Sequence, residues 1–344
     1  MTPPSPLQTA APRPLHLVVG GLGSVGGKLL ESVVRTTRDP RAGFRLGRVT
    51  LLDRDALEPD NLMRHEALPH ELGHASGRKV AWAAARVRAL APAPGPDVDA
   101  LDGSLLDPAV EERASAAVAA CDVVVSTFDN PRALFALGAL AARHGKPLLV
   151  AEVISGGIGL WLLAAHLDPD GPCVLCLATA RGERAEQAER PEPAVEIDYA
   201  DPEAVVREAR VPADDWTCGV AANLLAGLVV DAARRGGAPD PATPPLRLVA
   251  LRTVSAPAEV APFFRAPLQV TIVPAPRRPD CPQCAARTPT SAEHARNLAF
   301  FGDLGDAELE PEAGDPTPGA SEAPGAGGLA TAGAGAADPA EARS

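Results

Sequence analysis

HLVVGGLGSVGG, residues 16–27, is the stretch that decides the fold of this chain. The apolar run at 15–20 is typical of a short buried strand, and KLLESVVR after the glycines has the apolar spacing of a helix. Between them, GLGSVG matches the pattern G-x-G-x-x-G through Gly21, Gly23 and Gly26. These glycines allow a tight turn in which main-chain amides and a helix N-terminus meet a phosphate. The overlapping GGLGS at 20–24 offers the same chemistry in a shifted register, and a purely structural turn is the alternative.

Downstream, VTLLDRDALEPDNLMRHE at 49–66 adds groups that suit a nucleotide. Its apolar first half predicts a buried strand that delivers Asp53 at its carboxyl end, where an acid commonly accepts hydrogen bonds from ribose hydroxyls. Asn61 and Arg64 are three residues apart, so one helical turn would point both side chains the same way. A planar guanidinium matches two phosphate oxygens, which favours a triphosphate contact over the alternative of a solvated helix face.

Two further charged residues fall at the ends of predicted elements. Lys79 opens the helix predicted at 77–91, where its ammonium could approach a phosphoryl oxygen, although most helical lysines are merely solvated. Asp129 ends the buried strand predicted at 121–129 and could hold Mg²⁺ against phosphates. The alternative for Asp129 is capping of the helix that starts at Pro131.

Strands and helices alternate along the first half of the chain, and each strand is a nearly continuous apolar run. This pattern predicts an α/β fold with a Rossmann-like, mostly parallel sheet covered by helices on both faces. Ligands of such sheets bind beyond the carboxyl ends of the strands, where the glycine loop, Asp53 and Asp129 would converge. After residue 152 the pattern changes to an antiparallel extension, with a long apolar helix predicted at 217–235 and closing strands after it.

Four of the six cysteines form two C-x-x-C pairs, Cys173/Cys176 and Cys281/Cys284. Four thiolates can complete one tetrahedral zinc site, so we predict a zinc clamp that joins distant parts of one domain. Two disulfides are the weaker alternative in a cytosolic chain. Cys121 fits an inert core position. Cys218 begins the long apolar helix, whose N-terminus would lower the thiol pKa.

Composition limits the remaining possibilities. Residues 1–14 are a Pro-rich leader without the features of a secretory signal, and no apolar run of membrane-spanning length occurs, so we predict a cytoplasmic protein. The net charge is −12, but nine acids and one arginine at 302–344 supply most of it. That Ala/Gly/Pro-rich stretch is predicted to be disordered. No basic surface suited to nucleic acid is evident.

Taken together, these motifs resemble the ThiF/MoeB family of adenylyltransferases, which are related to ubiquitin-activating enzymes. The matching series covers about residues 15–285 and runs from GLGSVG through LLDRD, NLMR, Lys79 and FDN (128–130, followed by Arg132) to the two cysteine pairs. The resemblance implies an adenylation domain over 15–290, with a nucleotide-binding half at 15–150 and a carrier-binding and zinc-binding half at 151–290.

The implied activity is ATP-dependent adenylation of the C-terminal carboxylate of a small ubiquitin-like or sulfur-carrier protein that ends in glycine. By resemblance, Asn61, Arg64 and Lys79 stabilise the phosphates, Asp129 holds Mg²⁺, and Cys218 takes up the acyl group in a second step. Homodimerisation is also implied. Many relatives send an arginine from an N-terminal Arg-Tyr-x-Arg-Gln segment into the partner's ATP site, whereas this leader offers only Arg13.

Three alternatives remain open at this point. A nicotinamide-dependent oxidoreductase would explain the glycine loop and Asp53 but would leave Asn61, Arg64, Lys79 and the cysteine pairs without a role. A catalytically weakened family member could serve as a binding subunit. A third alternative keeps adenylation but replaces the carrier protein with a peptide or another small carboxylic acid.

Overall fold

The computed structural model describes residues 13–72, 77–167, 171–180, 213–240, 242–252 and 264–285. These residues build one eight-stranded sheet in the order β3-β2-β1-β4-β5-β6-β7-β8. The strands are β1 (Arg13–Gly20), β2 (Phe44–Asp53), β3 (Asp97–Asp102), β4 (Val123–Ser126), β5 (Leu148–Val153), β6 (Gly159–Ala165), β7 (Leu246–Ala250) and β8 (Gln269–Ile272).

The first five strands are all parallel, as the apolar runs predict. Because every strand in this half points the same way, the glycine loop after β1, Asp53 at the end of β2 and the residues after β4 lie at one edge of the sheet. The strand β2 begins at Phe44, upstream of the apolar run at 49–52, and Phe44 pairs with Arg13 of β1. Phe44 and Leu46 are buried, which explains why the strand extends upstream.

Helices cover both faces of the sheet, as predicted. The α-helices are α1 (Ser24–Thr36), α2 (Lys79–Leu90), α3 (Pro108–Ala120), α4 (Pro131–Arg143), α5 (Val174–Ala180), α6 (Asp215–Arg234) and α7 (Pro282–Ala285). Apolar side chains of α1, α2 and α6 share one core cluster with the sheet, and those of α3, α4 and α5 share another. Each fully buried Val or Leu side chain stabilises such a core by about 1.5–3 kcal/mol.

The antiparallel extension is also confirmed. The strand β6 pairs antiparallel with β5 and β7, and β8 pairs antiparallel with β7. The helix α6 is the one described helix that is long and apolar enough to cross a membrane, but half of its apolar stretch is buried. Its residues Ala221, Leu225 and Val229 belong to the same core cluster as α1, so the packing alone accounts for its apolar composition.

The leader boundary differs from the prediction at its last two residues. Arg13 and Pro14 start β1 and pair with Phe44 and Arg45. The Arg13 guanidinium donates to Asp122 Oδ1 at 2.8 Å, at the amino end of the strands and away from the glycine loop. The rest of the leader, the charged stretch 181–212 and the acidic tail 302–344 lie outside the described residues.

Candidate functional site

A cavity of about 550 Å³ opens at the carboxyl ends of the parallel strands. Its volume is within the range of small-molecule sites. The structure brings together here all but one of the side chains and loop residues that the sequence singled out for a nucleotide or for acyl transfer. The exception is Gly26, which is the third residue of α1. The lining residues among them are Gly21, Gly23, Asp53, Asn61, Arg64, Lys79, Asp129 and Cys218.

The glycine loop requires glycine for two different physical reasons. Gly21 has φ +82°, and a Cβ at this position would lie 2.7 Å from the main-chain nitrogen of Phe128. A Cβ at Gly26 would lie 2.1 Å from the Gly21 carbonyl oxygen. Thr127 Oγ1 donates to that same oxygen at 2.7 Å, which holds the loop against β4. By contrast, no described atom comes within 4 Å of a Cβ built at Gly23. A side chain at this position would therefore extend into the cavity.

Asp53 is buried and anchors the loop to the end of β2. Its Oδ2 accepts from the Leu22 amide at 2.6 Å, and its Oδ1 accepts from the Asp55 amide at 2.8 Å. Burial raises the pKa of Asp53, while the charge of Lys79 and the two amide hydrogen bonds oppose that shift. A carboxylate can accept about four hydrogen bonds, so this side chain retains capacity for a ligand hydroxyl.

Lys79 is the first residue of α2, as predicted. Its Nζ lies 2.9 Å from Asp55 Oδ2, and its amide donates to the Asp55 carbonyl at 3.0 Å. The side chain is only 12% exposed, which makes it a positioned charge on the cavity wall. The alternative of a merely solvated helical lysine is therefore wrong.

Asn61 and Arg64 share one turn, as predicted, although the turn is a 3₁₀ helix at Pro59–Met63. Asn61 Oδ1 accepts from the Glu58 amide at 3.3 Å, and the Asn61 carbonyl accepts from the Arg64 amide at 3.1 Å. Arg64 follows as the C-terminal cap residue, and both side chains line the cavity. The tight turn therefore places an amide and a guanidinium beside the glycine loop.

Asp129 lies exposed at the cavity rim, three residues beyond the end of β4. The strand predicted at 121–129 is shorter than expected, so Asp129 belongs to the loop before α4. The helix α4 is capped by its neighbour Asn130, whose Oδ1 accepts from the amides of Arg132 at 2.9 Å and Ala133 at 3.4 Å. The capping alternative for Asp129 is therefore wrong. Its carboxylate oxygens are hard ligands of the type that Mg²⁺ prefers, so the position fits the predicted role.

Cys218 also lines the cavity, but its chemistry differs from the prediction. It is the fourth residue of α6 and is only 3% exposed. Burial raises the pKa of the Cys218 thiol, and the opposing charges of Arg64 and Lys28 are weaker than this effect. The expected lowering of the pKa by the helix N-terminus is wrong because removal from water disfavours the thiolate more strongly.

Two charged or titratable residues beside the site were missed by the sequence interpretation. Lys28, with a side chain only 11% exposed, forms ion pairs with Glu66 and with Asp215 Oδ1, the latter at 2.7 Å. It thereby links α1 to the segment after Arg64 and to the start of α6. The scarcity of lysine in this chain was a usable signal for Lys28. His65, which is buried and lines the cavity, carried no comparable signal.

The four cysteines predicted to bind zinc meet in one buried cluster. Their sulfur atoms all lie within 4.8 Å of one another. Separations of 3.7 Å for Cys173–Cys176, 3.4 Å for Cys173–Cys281 and 3.6 Å for Cys176–Cys284 come close to the roughly 3.8 Å expected for a tetrahedron with Zn–S bonds of about 2.3 Å. All four are free thiols, so the disulfide alternative is wrong and the cluster could form a zinc site.

Polar contacts around the cluster connect its two halves. The buried Gln283 accepts from the Leu175 amide at 3.1 Å and donates to the Phe135 carbonyl at 3.2 Å. The Arg278 amide donates to Cys176 Sγ at 3.4 Å, as amides around metal-bound thiolates do. The cluster thus ties α5 and α7 to α4, whose residue Phe135 also lines the cavity.

A sequence profile of the ThiF family matches residues 9–254. The chain belongs to the ThiF family. The match covers both the parallel half and most of the antiparallel extension, and it confirms the resemblance carried by the motifs. A comparison with curated proteins finds no significant match.

Solved structures of MccB from E. coli share the fold of this ThiF-family chain. MccB with ATP superposes with a TM-score of 0.52 at 15% identity, and the match covers 78% of this chain and 66% of MccB. MccB with AMPCPP and MccA gives a TM-score of 0.51 at the same identity and coverage. MccB with MccA-N7isoASN gives 0.50 at 14% identity, with coverage of 78% and 67%. This chain therefore spans just under two thirds of the length of the MccB of the first comparison.

Proposed function

We propose that this protein uses ATP to adenylate the C-terminal carboxylate of a peptide or small ubiquitin-like protein. The observation that carries the proposal is the convergence of Asp53, Asn61, Arg64, Lys79 and Asp129 on one cavity beside the glycine loop. A nicotinamide site needs the loop and the acid but has no use for two cations and a second carboxylate. Family membership and the MccB structures with ATP and with MccA support the same choice.

In the proposed reaction, a carboxylate oxygen of the peptide bonds to the α-phosphorus of ATP. The bond from that phosphorus to the bridging oxygen breaks, and its electron pair leaves with pyrophosphate. Asp53 accepts from the ribose, while Arg64, Lys79 and Asn61 hold the phosphates and stabilise the charge that moves to the leaving group. Asp129 would hold Mg²⁺, which when bound neutralises phosphate charge. A structural zinc would be held by Cys173, Cys176, Cys281 and Cys284.

A second step to Cys218 has support from position alone. In that step the sulfur bonds to the acyl carbon of the adenylate, and AMP leaves with the carbon–oxygen electron pair. Arg64 and Lys28 favour the thiolate that this needs, whereas burial of the side chain opposes it. Adenylation is therefore the better supported part of the proposal. Homodimerisation stays a prediction of the resemblance, and a cytoplasmic location stays a prediction of the sequence composition.

The test is ATP–pyrophosphate exchange with ubiquitin-like proteins that end in glycine and with short peptides. We expect exchange in the wild-type protein and its loss in Asp129→Ala. Asp231→Ala is a matched control, because this carboxylate on α6 pairs with Arg235 and is not among the cavity residues. Robust exchange in Asp129→Ala would contradict the role of Asp129. Absence of exchange with every substrate would favour a binding subunit.

A further inference from the structure

Leu22 fastens the glycine loop to its surroundings through both its amide and its carbonyl. As described above, the Leu22 amide donates to Asp53. The Leu22 carbonyl accepts from Nε2 of His65 at 2.9 Å. One residue of the loop is therefore held through its amide by the acid proposed to bind ribose and through its carbonyl by the neighbour of Arg64.

Both nitrogens of His65 are committed to main-chain partners. While Nε2 donates to Leu22, Nδ1 accepts from the Ala67 amide at 3.0 Å. This pattern requires the neutral imidazole with its proton on Nε2, because a protonated ring has no acceptor nitrogen. The side chain is 5% exposed, so loss of either bond would leave a buried polar group without that partner.

Packing fixes the ring in this orientation. It meets Trp82 of α2 edge-to-face, with ring centroids 4.5 Å apart. A Cβ built at Gly27 of α1 would lie 3.7 Å from His65 Cε1, so this helix closes the other side. The charged groups that act on the ring are Lys79 from α2, Lys28 from α1 and the adjacent Glu66.

Resting on the proposed function, we infer that His65 is a positioning residue that sets the glycine loop and Arg64 at the spacing needed for ATP. It achieves this through two hydrogen bonds that only the neutral ring can make together. A hydrophobic residue could replace the packing against Trp82 but neither of these bonds. Glutamine could replace both, because its amide nitrogen and oxygen flank one carbon as the two imidazole nitrogens do.

The consequence is a sensitivity to acid. Burial lowers the pKa of His65 below its ordinary value of 6.5, so the bonds are complete at neutral pH. As pH falls through this lowered pKa, protonation removes the acceptor for the Ala67 amide. The loop geometry, and with it the affinity for Mg-ATP, should then be lost on the acid side.

The test measures Mg-ATP affinity by calorimetry across pH 5–8 in the wild-type protein, His65→Leu and His65→Gln. We expect affinity about tenfold weaker in His65→Leu at neutral pH, and rescue in His65→Gln together with loss of the fall toward acid. His144→Gln is the matched control, because this histidine bonds Ser115 on the α3–α4 surface. That control should keep the wild-type pH profile.

Wild-type affinity and an unchanged acid profile in His65→Leu would overturn the inference. If His65→Leu fails to fold, the pH profile of His65→Gln decides, and a profile that still falls as in wild type overturns it. If the wild-type protein binds no Mg-ATP, the proposed function fails. Hydrogen-exchange protection factors of the amides at 21–26 then decide the inference. It requires lower protection factors in folded His65→Leu, or in wild-type protein at acid pH, but not in His65→Gln.

Discussion

The cavity at the strand ends and the four-cysteine cluster differ in what their polar atoms face. Lys79, Asp129 and Arg64 line open space, and each is held by a turn or a helix start. The cysteine sulfur atoms face one another, and each cysteine is buried. The first arrangement can act on a ligand at little cost to the fold. The second can stabilise the fold but has no opening for a substrate, so substitutions in the two regions should separate activity from stability.

Loss of the cysteine cluster should have the largest effect. Structural zinc binds with about 10–16 kcal/mol in zinc-finger peptides, so we expect Cys281→Ser or chelation to lower the free energy of unfolding by several kcal/mol. Metal analysis and thermal unfolding of the same samples measure this. Cys121→Ala is the control, since it removes a buried thiol outside the cluster. Metal-free protein with an unchanged unfolding temperature would contradict the assignment.

Arg64→Ala should have the next largest effect, confined to activity. Removal of one preorganised donor costs about 10²–10³-fold in turnover in other enzymes, and we expect a loss of that size in pyrophosphate exchange. The unfolding temperature should change little. Arg64→Lys retains the charge but not the planar fork and should recover only part of the activity. Arg113→Ala, on the exposed face of α3, is the control. A large loss of stability with normal ATP–pyrophosphate exchange would show instead that Arg64 stabilises the fold and does not contribute to activity.

Cys218→Ser should leave ATP–pyrophosphate exchange within about threefold, because the thiol does not take part in adenylyl transfer. If the second step occurs, a thiol-labile adduct with the substrate should disappear in this variant and persist in Cys121→Ser. Because the pKa of Cys218 is raised, adduct formation in the wild-type protein should increase toward alkaline pH. Mass spectrometry after adenylation measures the adduct. An adduct that persists in Cys218→Ser would show that Cys218 is not the residue that takes up the acyl group.

Arg13→Ala should have the smallest effect. Its partner Asp122 lies at the amino end of the strands, and an exposed ion pair of this kind contributes about 0.2–1 kcal/mol to stability. Exchange should be unchanged. Denaturant unfolding and exchange kinetics on one preparation measure both quantities. A strong loss of exchange would instead assign Arg13 to a second subunit's site.

The sequence predicted those parts of the molecule in which residue type and spacing carry the signal. Apolar runs predicted the parallel sheet, and the two C-x-x-C pairs predicted a cluster whose halves are more than a hundred residues apart in the chain. Arg64 was found through its three-residue spacing from Asn61, and Lys79 through its position at the start of a predicted helix. Each of these features depends on a local sequence pattern or on the rule that the carboxyl ends of parallel strands lie at the same edge of the sheet.

The remaining features depend on tertiary environment, which local pattern does not contain. The raised pKa of Cys218 follows from burial by distant segments. The role of His65 follows from a carbonyl forty-three positions away in the chain, so neither spacing nor residue type could indicate it.

The central claim is that the cavity activates a carboxylate at the α-phosphate of ATP. The most direct test supplies a peptide or ubiquitin-like substrate whose C-terminal carboxylate carries ¹⁸O and follows the label by mass spectrometry. The proposed reaction predicts that one ¹⁸O atom appears in AMP and that none appears in pyrophosphate. Formation of ADP with ¹⁸O in inorganic phosphate, or release of AMP without label, would contradict it.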